Sequence, residues 1–238
     1  MRQAAPMRTL AVLQHTDSEY LGLMEDRFEQ RGIRFRYVRP FVPGTVVPAT
    51  AEEFDGLVLL GAGPRGVVSG DLLPSLGPEL RLTADFLRRE LPVIGIGAGA
   101  AMLAVAAGGG AEAAPLRFCL ATAERAAAES GAAWLPERFP AASYLRDRPL
   151  PPADAAILAR NEGGAPLLFQ IGPRALGFLF HPGMKTAMLE DLVMEFPEAP
   201  DDIPAGLDAL RAAQHAIAEA LSTMMVGLVV LTGLMAPP

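Results

Sequence analysis

The chain has 238 residues, 51% of them apolar and 20% charged, with a formal net charge of −7 and a pI near 5.0. That suffices for one sizeable α/β domain or a domain with an appendage, and the acidic balance argues against a nucleic-acid partner, which needs a basic face. The single cysteine, Cys119, excludes an intramolecular disulfide and makes a cysteine-based zinc site untenable, which suits a reducing cytoplasm.

The N-terminal MRQAAPMRTLAVLQH lacks the segments of a signal peptide and runs directly into a strand. TLAVLQH (Thr9–His15) is a short apolar run and reads as the first buried strand. TDSEYLGLMEDRFEQRG follows, with an N-cap choice at Asp17 or Ser18 and a glycine stop at Gly32. Leu21, Met24 and Phe28 fall at helical spacing within it, so the spacing predicts an amphipathic helix. IRFRYV is a second strand of alternating character. The basic run that contains it, RGIRFRYVRP (Arg31–Pro40), reads as a solvated sheet edge rather than a phosphate site.

FDGLVLLGAG (Phe54–Gly63) is a third strand ending in a glycine-rich loop. LGPELRLTADFLRREL is a second helix, and PVIGIG a fourth strand that leads through a tight glycine turn into the helix of AGAAMLAVAAGG. Beyond Gly110 the pattern weakens into alanine-, proline- and arginine-rich sequence. APLLFQIG and ALGFLFHP then read as a β-hairpin turning at Gly172–Arg174 and ending at His181. An acidic segment, EFPEAPDDIP, precedes a helix from about Ala205. No internal repeat is present.

Strands alternating with helices imply crossover connections and a largely parallel sheet, with ligands placed beyond the carboxyl ends of the strands. The expected architecture is α/β: three layers, a mostly parallel central sheet and flanking helices, flavodoxin-like. The loops after Leu60 and Ile96 emerge together on the ligand side. GAGPRG and GAGA lack the Lys-Ser/Thr of a phosphate loop.

Four segments in order resemble the class I glutamine amidotransferase family, particularly its GMP-synthase-like stand-alone members. DGLVLLGAGPRGV resembles the strand and Gly-Gly-Pro loop, and PVIGIGAGAAMLA the Pro-Val-Leu-Gly-Ile-Cys-Leu-Gly-Ala-Gln elbow. LPPADAAILARNEGGAPLLFQIG is similar to the later Leu-Pro-Pro segment and strand, and GFLFHPG to the closing Gly-x-Gln-Phe-His-Pro-Glu. The correspondence runs from about Leu10 to Gly183. The family's chemistry is hydrolysis of the glutamine side-chain amide by a cysteine, with a histidine oriented by a glutamate and backbone N–H groups holding the oxyanion.

Carried over by position, the resemblance places Gly97 at the nucleophile, His181 at the histidine and Gly183 at the orienting glutamate. Ala101 stands at the elbow glutamine, and the glycine loop carries an extra residue around Ala62. The Trp-His-Gly-Asp stretch would fall at Ser143–Asp147, where it is not recognisable. Two of the three catalytic side chains are then missing, and residues that act as a unit fail together.

His181 is either a general base or a packed, hydrogen-bonded strand-end residue, and His15 ends the first strand on the same side. Cys119, in the strand-like LRFCLA, is expected in the core. Ser69 and Ser75 are ordinary loop hydroxyls. Gly61, Gly63, Arg65, Ala98, Ala101 and His181 would line the old pocket, with Arg65 as an anion anchor. No metal site and no cofactor are expected.

ALSTMMVGLVVLTGLMA (Ala220–Ala236) has no charged residue and lies at the lower limit, roughly 17 residues, for crossing a bilayer. It packs within the monomer, against a partner subunit, or into a membrane. In the second case Met224, Met225, Leu228, Val229, Leu231 and Leu234 bind the partner. The expected organisation is an amidotransferase-like domain at 1–200 and an apolar helical extension at 201–238. The expected role is an inactive structural or regulatory subunit of a larger complex. It would be cytoplasmic, with the inner face of a membrane as the alternative setting. The other roles are a sensor of a glutamine-like metabolite, and an enzyme reusing the pocket through His181.

Overall fold

Alternation along the strands explains the layers. In β1 (Thr9–Leu13), Leu10 and Val12 point to one face and Ala11 and Leu13 to the other, and all four are buried. The same two-residue period runs through β3 (Gly56–Leu59), β4 (Val93–Ile96) and β11 (Ala175–Phe178), so this part of the sheet is covered on both sides. The structure is a computed structural model that describes residues 7–126 and 131–235.

The nine-stranded sheet has the order β2-β1-β3-β4-β11-β10-β9-β6-β7. β2 (Arg34–Val38), β1, β3, β4 and β11 are parallel. β10 (Pro166–Ile171), β9 (Ala156–Asn161), β6 (Arg117–Arg125) and β7 (Arg138–Leu145) continue it antiparallel. β5 (Gly110–Glu112) and β8 (Arg148–Leu150) form a separate ribbon. Helices α1 (Met24–Glu29) and α5 (Ile203–Leu231) pack on one face, and α2 (Leu76–Arg88) and α3 (Ala98–Ala106) on the other. α4 (Thr186–Glu195) and the first half of α5 close a third cluster with Leu116, Ala142 and Tyr144. β2 is an edge strand with Arg34 and Arg36 exposed, so the basic run is the solvated edge its pattern indicated.

Four expectations change. The first helix begins at Met24, not at Asp17 or Ser18. Gly22 is left-handed at φ 62°, and a Cβ there would fall 2.2 Å from the Gly183 carbonyl oxygen, so the chain bends to meet the β11 end before the helix starts. The weakly patterned region beyond Gly110 holds five strands among its described residues, β5 to β9. β6 and β9 mix exposed and half-buried positions without a clean alternation, and β5 and β8 are only three residues long.

Cys119 is exposed rather than in the core. It shares a strand face with the exposed Arg117, while Phe118 and Leu120 on the other face pack toward α5 and α4.

The fourth change concerns the extension at 201–238. α5 is long and apolar enough to cross a membrane, yet its inner face joins the same cores as the sheet. Met224, Met225, Leu228, Val229 and Leu234, expected to face a partner, are at most 5% exposed and pack with Ala132, Leu135, Phe139 and Leu158. Leu231 is partly buried. The fit is close: a Cβ on Gly227 would fall 2.2 Å from the Trp134 side chain, so the helix backbone lies directly on that indole. Of the three placements open to the tail, packing within the monomer is the one these contacts describe; the last tail residue, Ala236, lies outside the described residues.

Candidate functional site

Four parallel strands end on the same side, and their loops bring the expected residues together. After β4 the chain turns at Gly97, with φ 57° and ψ −119°, and enters α3 at Ala98. Gly95 and Gly99 make this tight turn possible. A Cβ on Gly95 would fall 2.5 Å from the Gly99 carbonyl oxygen, and one on Gly99 2.1 Å from that of Leu59. The result is a strand–turn–helix elbow of the kind that presents a nucleophile, built round a residue with no side chain. A Cβ on Gly97 would have ordinary room, 3.6 Å from Gly61 Cα and 3.7 Å from the Tyr144 carbonyl oxygen. Ala98 and Ala101 are buried in α3.

His181 lies beyond the end of β11 and is 5% exposed. Both ring nitrogens are engaged by backbone. Nε2–H donates to the Tyr20 carbonyl at 2.7 Å, and Nδ1 accepts from the Gly183 N–H at 3.1 Å. Burial pushes its pKa down to about 4 against the hydrogen bond to Tyr20, so the ring is neutral. Gly183 is closely surrounded. A Cβ there would sit 3.0 Å from Leu21 O, Leu23 N and Met24 N, and the Gly183 carbonyl accepts from Leu23 N–H.

The glycine loop, by contrast, is held by ionisable groups. His15 Nδ1–H donates to the Gly61 carbonyl at 2.9 Å, and Nε2 meets Glu79 Oε2 at 2.7 Å, with both side chains fully buried. Burial alone would lower the His15 pKa, but Glu79, the Gly61 carbonyl and Glu19 together outweigh it and raise it. Glu19 Oε2 accepts from the Gly63 N–H, and burial lifts its pKa to about 7 against that bond and the charge of His15. Asp147 collects the N–H groups of Val67, Val68 and Ser69 and the Ser69 hydroxyl, while Arg146 Nε donates to the Pro64 carbonyl. The Phe196 ring lies on Gly63.

Of the residues expected round the pocket, Gly61, Gly63, Ala98, Ala101 and His181 are buried, as is Gly97 at the nucleophile position, and Arg65 is turned to Asp71 at 3.5 Å. Ser69 is a partner of Asp147 rather than a free hydroxyl. Glu19, Glu79 and Glu195 were not anticipated, and Tyr144 and Asp147 only as part of the unrecognised Ser143–Asp147 stretch. The signal for Glu79 was available: it interrupts the inner stripe of α2 shared with Leu82, Thr83 and Phe86, where a carboxylate needs a partner.

Comparison with solved structures agrees with this layout. A glutamine amidotransferase from Thermotoga maritima superimposes with a TM-score of 0.78 at 22% identity, covering 96% of this chain and 99% of that one. The chain has the class I glutamine amidotransferase fold. A glutamine amido transferase from Methylobacillus flagellatus gives 0.80 at 20% identity, covering 94% and 95%. A Thermoplasma acidophilum protein assigned as a GMP synthase component gives 0.58 at 18% identity, covering 89% and 100%. No protein-family model and no curated protein matches the sequence. At these identities the likeness describes the amidotransferase-like fold, and what the site does rests on its own residues.

Proposed function

We propose that this chain is a catalytically inactive amidotransferase-like protein that acts by binding, as a structural or regulatory subunit of a larger assembly. The observation that carries the reading is the elbow: the strained turn is kept, and the residue on it, Gly97, supplies no reactive atom. Its surroundings support the same reading. His181 is neutral with both nitrogens committed to backbone, and Gly183 is hemmed in where an orienting carboxylate would stand. A general base needs a free nitrogen within reach of the proton it takes, and none is offered here.

A partner would meet the outer face of α5, where Val226 is exposed and Leu231 partly buried, because the inner side chains already pack at home. The length and apolar composition of α5 are what keep a membrane-associated assembly among the candidates.

A second reading, a small-molecule sensor, is favoured by one observation. A cleft of about 440 Å³ lies between β6, β7 and the 112–115 segment, with Arg117, Cys119, Ser143 and Arg148 on its walls. That volume is within the range of small-ligand sites.

The test is glutamine hydrolysis by the purified chain, together with a tagged pull-down from soluble and detergent-solubilised membrane fractions. No hydrolysis and a stoichiometric partner are expected. Robust glutaminase activity that disappears in His181→Ala overturns the inactive reading. Recovery of the chain alone, with thermal stabilisation by an amino acid or nucleotide, replaces the subunit reading by the sensor.

A further inference from the structure

Glu19 occupies an unusual position for a carboxyl group. It is 4% exposed, and it lies so close on the glycine loop that a Cβ added to Gly61 would overlap it. Its Oε2 takes the Gly63 N–H, and its own N–H is held by Thr16 Oγ1. Gly61 in turn stands between Glu19 and the elbow, with its Cα 3.6 Å from the place a Gly97 Cβ would take. The Glu19 carboxyl therefore braces the loop that covers the elbow.

The charges around it do not balance. Among the described residues His15 is the one cationic group beside Glu19, and its Nε2 is already paired with Glu79 of α2. Glu195, at the end of α4, adds a further carboxylate on the other side, where it holds Ser18 through both the N–H and the hydroxyl. Tyr144 of β7 contributes a buried hydroxyl that has no hydrogen-bond partner among the described residues. Ionised, Glu19 becomes the third carboxylate on a site with one imidazolium, in a place that water does not reach.

We propose that Glu19 is a proton-operated clasp, holding the glycine loop closed over the elbow while it is neutral and releasing it as it ionises. Neutral, the carboxyl fits between Gly61 and Gly63 without an uncompensated charge. Ionised, it is relieved by movement of the loop away from it, which opens Glu19 to solvent. The displacement uncovers Gly61 and, behind it, the turn at Gly97. No reaction at the elbow is required, so the clasp stands apart from whether the site is active.

The experiment is hydrogen exchange on the full chain at pH 6 and pH 8, read as protection factors corrected for intrinsic exchange, for amides of the 61–66 loop. With Glu19 titrating near pH 7 in the closed loop and at its ordinary value in the open one, opening should increase about tenfold between the two. Helix α3 amides serve as the internal reference and should not change in parallel. In Glu19→Gln the loop should lose its pH dependence. Equal loop protection at both pH values in the wild type, or an unchanged tenfold rise in Glu19→Gln, overturns the proposal. Should the variant not fold, carboxyl carbon NMR titration of wild-type Glu19 decides instead. A midpoint near 7 supports the clasp, and one near 4.5 sinks it.

Discussion

Two histidines stand at strand ends on the same side of the sheet, and their surroundings are opposite. His181, at the β11 end, is held only by backbone and is neutral. His15, beyond β1, has the carboxylate partner, Glu79, that an acid–base histidine would need, yet the pair is sealed behind the glycine loop. The contrast teaches that a histidine's chemistry is set by its partner and its access together. One is tied to backbone without a carboxylate partner, and the other has the partner but is sealed in.

The most damaging way to break the comparison is to remove the buried partner. Glu79→Ala leaves His15 without its counter-charge inside the protein, and a loss of about 3–5 kcal/mol in urea unfolding is expected. Replacing both residues, His15→Leu with Glu79→Leu, should cost clearly less than the single change. Equal losses would mean that the pair is not acting as a unit.

The pH dependence sharpens the contrast by sign. His181 has a folded pKa below its ordinary value, so its contribution is present above pH 6.5 and is lost as pH falls through about 4. Glu19 has a folded pKa above its ordinary value, so its contribution is present below pH 4.5 and is lost as pH rises through about 7. Each is worth on the order of 3 kcal/mol across its window, and between pH 4.5 and 6.5 they oppose one another. His181→Asn should therefore give stability that falls with pH across that interval, and Glu19→Gln stability that rises with it. Denaturant midpoints measured at half-unit pH steps would reveal slopes of the same sign if this assignment is wrong.

The smallest expected effect is at the elbow. Gly97→Ala places a Cβ at ordinary van der Waals contact, so its cost is mainly backbone strain, on the order of 1–3 kcal/mol for a side chain at φ 57° and ψ −119°. Gly97→Cys should cost about the same and still hydrolyse no glutamine, because His181 remains tied to Tyr20 and Gly183. Hydrolysis by Gly97→Cys would show that His181 can be freed.

Much of the frame was legible in local pattern. The four parallel strands, the elbow after β4, α2, and the hairpin of β10 and β11 each bury side chains at the period of their own element, so a short window of sequence carries the signal. The elbow's glycines were legible for the same reason. β5 to β9 were legible only in part: LRFCLA reads as strand-like, but β6 and β9 mix exposed and half-buried positions without a clean alternation, and β5 and β8 are three-residue strands of a separate ribbon. The helix expected from Asp17 failed because an unrelated segment, at Gly183, presses on Gly22.

The amino-acid sequence by itself determined the parallel strands and the elbow, that glycine stands on its turn at Gly97, and that His181 closes the hairpin. Those properties depend on residue type and spacing over a few neighbours. Only the tertiary structure decided that His15 meets Glu79 across 64 residues, that Glu19 lies against the glycine loop, and that the inner face of α5 is covered by Leu135 and Phe139. Charge pairing and helix burial depend on what the fold brings within a few ångströms, and no local period encodes that distance.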